Sequence, residues 1–194
     1  MRIIVFDTEA TSLTPGQICQ LSYLCVDDGQ VTGKNYFFSV DEMSEGSQEV
    51  HGLSMDMLEE LSGGRYFEDD AQSIFDDFRR ANLLIGHNVA FDDRYLRVEF
   101  DRCNLKLQKT NTFCTMNHAT GIMNMARKVA IGRPKPPKLE ELFAYYDISE
   151  ETIRGSAMAW FGAGNDMHDA RFDTAATWLS VQAAVEQGDL RGLY

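Results

Sequence analysis

The order of hydrophobic patterns along this chain predicts an α/β fold, a mixed β-sheet with helices packed on its faces. Two observations carry that prediction. The first forty or so residues run in strand-length apolar stretches broken by turn signals. The remainder interleaves a further strand with helix-period stretches. A third observation bounds the size: 194 residues at 44% hydrophobic composition can bury a substantial core, which predicts one domain over residues 1–194.

"RIIVF" at 2–6 is a short buried strand. "QICQLSYLCV" (17–26) and "VTGKNYFFSV" (31–40) are two more, joined by "DDGQ", a hairpin turn signal. "MDMLEELS" predicts a short helix capped by Ser54. In "DDAQSIFDDFRR", Ala71, Ile74, Phe75 and Phe78 fall at the i, i+3, i+4, i+7 spacing of an amphipathic helix. "NLLIGHN" (82–88) is a fourth strand, leading into a helix from about Ala90 to Arg102. A poorly patterned region follows and ends in "GRPKPPK", whose prolines enforce an extended connection. "LEELFAYY" is a short helix, and the last long one runs from about Asp169 to Gln187. Its predicted buried stripe is Phe172, Ala175, Ala176, Leu179 and Ala183.

No run of about 18 apolar residues exists to cross a membrane. "MRIIVF" lacks the apolar region and cleavage site of a signal peptide, and Cys19, Cys25, Cys103 and Cys114 show no CxxC spacing. A cytoplasmic protein with reduced cysteines is the expectation. The formal net charge of -12 opposes a polyanionic partner, but it is unevenly distributed. Between Asp101 and Glu140 there are no acids and eight basic residues, so the rest of the chain carries -20. Such a segment is either a phosphate-binding flank or a solvated basic loop.

Asp7 and Glu9, in "FDTEATSL", stand two apart at the end of the first strand. Alternate strand residues share a face, which places both carboxylates about 7 Å apart on one side and Thr8 on the other. Paired acids in that setting need a compensating positive charge. Hard divalent cations such as magnesium or manganese take such oxygen ligands. In "GHNVAFDDRYL", Asp92 borders the buried stripe of its helix, where it can face the sheet, whereas Asp93 is spaced to pair with Arg97 on the surface. In "HDARFD", Asp173 adjoins buried Phe172, Asp169 is the helix cap, and His168 lies ahead of the helix. A histidine free to swing there suits a general base.

"FDTEATSL", "HNVAFDDRYL" and "HDARFD" resemble, in this order, the three motifs of the DnaQ-like, or DEDDh, 3′–5′ exonucleases. That family includes the proofreading subunit of bacterial replicative polymerases and several RNA trimmers. The histidine five before the last aspartate matches the histidine branch, since the tyrosine position of the sister branch holds Asp169. "EVHGLSMDML" and "KLEELFAYYDI" also resemble the family's connecting elements, whereas Thr115 to Lys138 matches no motif.

The resemblance implies a ribonuclease H-like fold: a five-stranded mixed sheet whose second strand runs antiparallel, with helices on both sides. The fifth strand is then expected near "TNTFCTM". It further implies that Asp7, Glu9, Asp92 and Asp173 hold two divalent cations, Mg2+ or Mn2+, with Asp7 bridging, and that His168 takes the proton of the attacking water. Thr8 would offer its backbone N–H to the terminal nucleotide or serve only as a β-branched strand residue, His51 would lie near that pocket or serve the helix entry, and Phe91 would stack on a base or serve the core. His87 and Asn88 are expected to order the strand-to-helix turn. The expected partner is a single-stranded nucleic acid 3′ end, DNA ahead of RNA, with a polymerase as a second partner and no membrane. An RNA-trimming exonuclease and a non-catalytic binding module are the competing readings.

Overall fold

The computed structural model describes residues 1–125, 134–164 and 166–192. Its five-stranded sheet has the order β3-β2-β1-β4-β5. The strands are β1 (Arg2–Ala10), β2 (Ile18–Asp27), β3 (Gln30–Phe37), β4 (Leu83–Gly86) and β5 (Asn111–Cys114). β2 is antiparallel to both its neighbours, while β1, β4 and β5 run parallel, as the ribonuclease H-like topology requires. The fifth strand lies within the "TNTFCTM" stretch. Asp28 and Gly29, with φ of 46° and 84°, make the turn between β2 and β3. Positive φ at both central residues matches the twist of a two-residue hairpin.

Strand alternation sorts β1 onto two cores. Ile4 and Phe6 pack with Phe78, Leu96 and Phe100 from α3 (Phe67–Phe78) and α4 (Val89–Arg102). Ile3 and Val5 pack on the other face with Leu142, Trp178 and Val181 from α6 (Leu139–Tyr145) and α8 (Ala170–Glu186). α5 (Thr115–Met123) adds Ala119 to that second layer. α1 (Glu45–His51) and α2 (Met55–Ser62) flank the end of the sheet, and α7 (Glu150–Phe161) packs against β3 and α8. Ser54 caps α2 by accepting from the Met57 N–H at 3.2 Å. No helix among the described residues is long and apolar enough to cross a membrane.

Three readings are corrected. The first strand does not end before the acids: β1 continues to Ala10, and Asp7 and Glu9 pair with Ser22 and Gln20 of β2. Asp92 is not at the margin of the α4 stripe but on it, in line with Tyr95, Leu96 and Glu99, and is 3% exposed. α8 has no single stripe: Thr174, Thr177, Trp178, Ser180, Val181 and Ala184 are buried too, while Leu179 and Ala183 are only partly so. A helix enclosed by the sheet on one side and α6 and α7 on the other is buried nearly all round. Of the eight basic residues, Arg127, Lys128 and Arg133 lie outside the described residues. Lys135 and Lys138 pair with Glu141 and Glu140 at 2.5 and 3.1 Å, so part of the segment's charge is locally balanced.

Candidate active site

The site lies where β1 outruns its parallel neighbour. β4 pairs with β1 only from Ile3 to Val5, then turns through His87 and Asn88 into α4. Asn88 takes a left-handed φ of 70°, and the first turn of α4 carries Asp92 back to β1. There Asp92 Oδ1 accepts from the Thr8 backbone N–H at 3.1 Å and from the Thr8 hydroxyl at 2.7 Å. The N–H expected to face a nucleotide thus donates to Asp92 in this structure. His87 reaches beyond its own turn: Nδ1 meets Thr115 Oγ1 at 3.0 Å and Nε2 meets the Pro137 carbonyl at 3.1 Å.

On the opposite face of β1, Asp7 and Glu9 point toward the N-terminus of α8. Asp7, Glu9 and Asp173 each offer an oxygen within 4.8 Å of the others. Asp92 stays outside that trio, held by Thr8, yet close enough for its charge to act on Asp7. Burial, then Asp92, Asp173, Glu9 and Asp169, push the Asp7 carboxyl well above the usual carboxylate range. Burial and then Asp173 and Asp92 do the same to Glu9. Asp92 and Asp173 are each raised to about 7, chiefly by burial. Four acids so placed repel one another unless cations neutralise them.

His168 sits at the rim, exposed and in the left-handed region at φ 63°, and donates its backbone N–H to Asp173 Oδ2 at 3.2 Å. Asp169, next in the chain, caps α8, its carboxylate accepting from the Arg171 N–H.

Two clefts flank the acids. One, of about 460 Å³, is lined by Asp7, Asp173, His168, His87, Pro137 and Lys138. The other, of about 380 Å³, is lined by Thr8, Glu9, Leu13, Val50, His51 and Phe91. The three residues expected near a nucleotide therefore share one cavity with Glu9. Phe91 also belongs to the core, tilted against Tyr95 with ring centroids 4.5 Å apart. His51 Nδ1 accepts from the Leu53 N–H at 3.1 Å, and burial lowers the pKa of its ring. Leu13, 84% exposed, is an apolar wall that no sequence pattern announced.

Residues 4–177 match the RNase T family of exonucleases. The chain is 30% identical over 169 residues to DNA polymerase III subunit epsilon of Escherichia coli, covering 81% of this chain and 66% of that protein. Against the same subunit of Buchnera aphidicola it is 27% identical over 175 residues, covering 84% and 71%. It thus spans about two thirds of the E. coli relative's length. Exonuclease I of E. coli shares the fold. Its zinc-bound complex with single-stranded DNA superposes with a TM-score of 0.71 at 17% identity, over 96% of this chain and 41% of that one. Its complex with a dT13 oligonucleotide gives 0.69 at 16%, over 97% and 42%. A family match over most of its length, on a ribonuclease H-like sheet, makes this chain a member of the DnaQ-like exonucleases.

Proposed function

We propose that the protein is a metal-dependent 3′–5′ exonuclease that releases nucleoside monophosphates from single-stranded DNA. The observation carrying this reading is the convergence of Asp7, Glu9 and Asp173 within 4.8 Å, with Asp92 adjoining and an exposed histidine at the rim. A donor set made only of carboxylate oxygens fits hard cations such as Mg2+ or Mn2+. Asp7, Glu9, Asp92 and Asp173 would hold two of them, and bound there they would supply Lewis-acid charge to the phosphate and the leaving oxygen.

The chain's own residues do the rest. Thr8 fixes Asp92 through two donors, so that carboxylate is oriented before substrate arrives. His168 accepts the proton of the water that attacks the phosphorus, and its exposure lets it pass that proton to solvent. The cavity walled by Leu13, Val50, His51 and Phe91 takes the terminal nucleoside, its apolar surfaces suited to a base and its His51 edge to polar groups of the sugar. DNA rather than RNA follows the relatives, which are DNA polymerase III subunits by name. Proofreading or repair beside a polymerase is the corresponding role.

The test is a 3′-labelled single strand incubated with Mn2+ and then with chelator, beside a matched RNA. Stepwise shortening of the DNA that stops in chelator and is absent in Asp7→Ala is the expected result. Digestion by Asp7→Ala at the parent's rate would defeat the reading, and faster digestion of RNA would move the substrate to RNA.

A further inference from the structure

Gln20 enters no step described so far, yet it is 1% exposed and its carboxamide makes three hydrogen bonds. It is the register partner of Glu9 across the β1–β2 ladder, so both side chains stand side by side on the α8 face. Its Nε2 donates to Asp169 Oδ1 at 2.9 Å and to Asn35 Oδ1 at 2.9 Å. Its Oε1 accepts from the Ala170 N–H at 3.2 Å. The Ala170 N–H is one of the helix-start donors that no carbonyl of α8 can satisfy. Asp169 itself accepts from the next N–H, that of Arg171, at 3.0 Å, and holds the Arg171 guanidinium through both its oxygens.

We propose that Gln20 is a positioning residue of this site: its amide ties β2, the strand paired with Glu9, to the helix carrying Asp173, and so sets the loop that presents His168. This rests on the exonuclease reading of those residues. The chemistry demands an amide at position 20, because one group must donate to a carboxylate and accept from an N–H. Reversing the amide would place oxygen against Asp169 and NH2 against the Ala170 N–H, breaking all three contacts at once. Ionised glutamate there would be near-isosteric but acceptor-only, facing the Asp169 carboxylate inside a cluster already crowded with acids. A neutral donor at this point anchors α8 without adding charge beside Glu9.

The experiment compares Gln20→Glu and Gln20→Leu in the full chain. Three readouts are taken: amide hydrogen exchange at Ala170 to Asp173, Mn2+ binding by calorimetry, and kcat and KM on a single-stranded oligonucleotide. Gln20→Glu and Gln20→Leu should each speed exchange at Ala170 at least tenfold and weaken Mn2+ binding. Their kcat should fall at least tenfold with KM within twofold of the parent. Parent-like exchange at Ala170 in folded Gln20→Leu, or parent-like kcat in that variant, would overturn the proposal. Should Gln20→Glu not fold, Gln20→Leu decides through exchange and Mn2+ binding. If the parent itself cuts nothing, the exonuclease reading fails, and the same two readouts still score Gln20.

Discussion

Stripping divalent cations should make the protein progressively less stable as pH rises, and Mn2+ should reverse this. Burial lifts Asp92 and Asp173 from 3.8 to about 7 in the folded chain. Unfolded, each ionises near its ordinary value, so between those limits the folded state holds protons that the unfolded state has lost. A raised folded pKa gives stability that is complete below about pH 4 and is lost as pH climbs through 7. Each shift of about 3 units is worth on the order of 4 kcal/mol. For a chain of this size that is a drop of roughly 10 °C in Tm. Asp7 and Glu9 act in the same direction. His51 and His87, whose pKa values are lowered by burial, act in the opposite one, because the unfolded state binds their protons first as pH falls.

The assay is thermal unfolding followed by circular dichroism from pH 5 to 9 at fixed ionic strength, in chelator and in Mn2+. Only about two units of each shift fall between pH 5 and 8, so the two groups together should cost the parent in chelator roughly 10 °C or more over that range. Asp173→Asn, which carries no charge to desolvate, should show a flatter profile and exceed the parent at pH 8. Mn2+ should lift the parent most at the alkaline end. A parent curve in chelator that is flat or rises over this range, or an Asp173→Asn curve as steep as the parent's, would refute the reasoning.

His168→Ala should lower kcat by about 10²–10⁴-fold and leave Mn2+ affinity unchanged in calorimetry. At the other end of β1, buried Asp77 accepts from Arg2, Lys34, Arg80 and Tyr23 at 2.8, 2.5, 2.8 and 2.9 Å. Asp77→Ala leaves those cations facing one another and should cost about 3–5 kcal/mol in urea unfolding, with kcat at low temperature unaltered. A Cβ on Gly33 would stand 2.4 Å from the Trp160 carbonyl, so Gly33→Ala should push α7 from β3 and cost about 1–3 kcal/mol by the same measurement.

Most of the sheet was legible in the chain because its signals are local. The Asp28–Gly29 turn and the alternation in β1 and β2 need no distant partner. The motif acids were legible too, and the structure brings Asp7, Glu9 and Asp173 together. The burial of Asp92 was not, because it depends on Thr8 reaching out from another element. α7 went unpredicted: its only buried residues are Ile153 and Ala157, too few to impose a helical period on "EETIRGSAMAWF". The enclosure of α8 was hidden by its hydroxyls, which are quenched within the fold. Ser180 donates to the Ala176 carbonyl at 2.8 Å and Thr174 to that of Ser22 at 3.2 Å. Gln20 left no mark at all, since an isolated polar residue in a strand looks the same whether or not a helix sits on it.

The shortness of β4 has a consequence for anyone who would improve this protein. Two or three more residues of parallel ladder beyond Ile85 would complete the pairing of β1 and yield a sturdier sheet. The added strand would also occupy the position from which Asp92 now receives the Thr8 amide. Regularity and reactivity compete here for a single row of peptide groups, and a backbone idealised for stability would be inert.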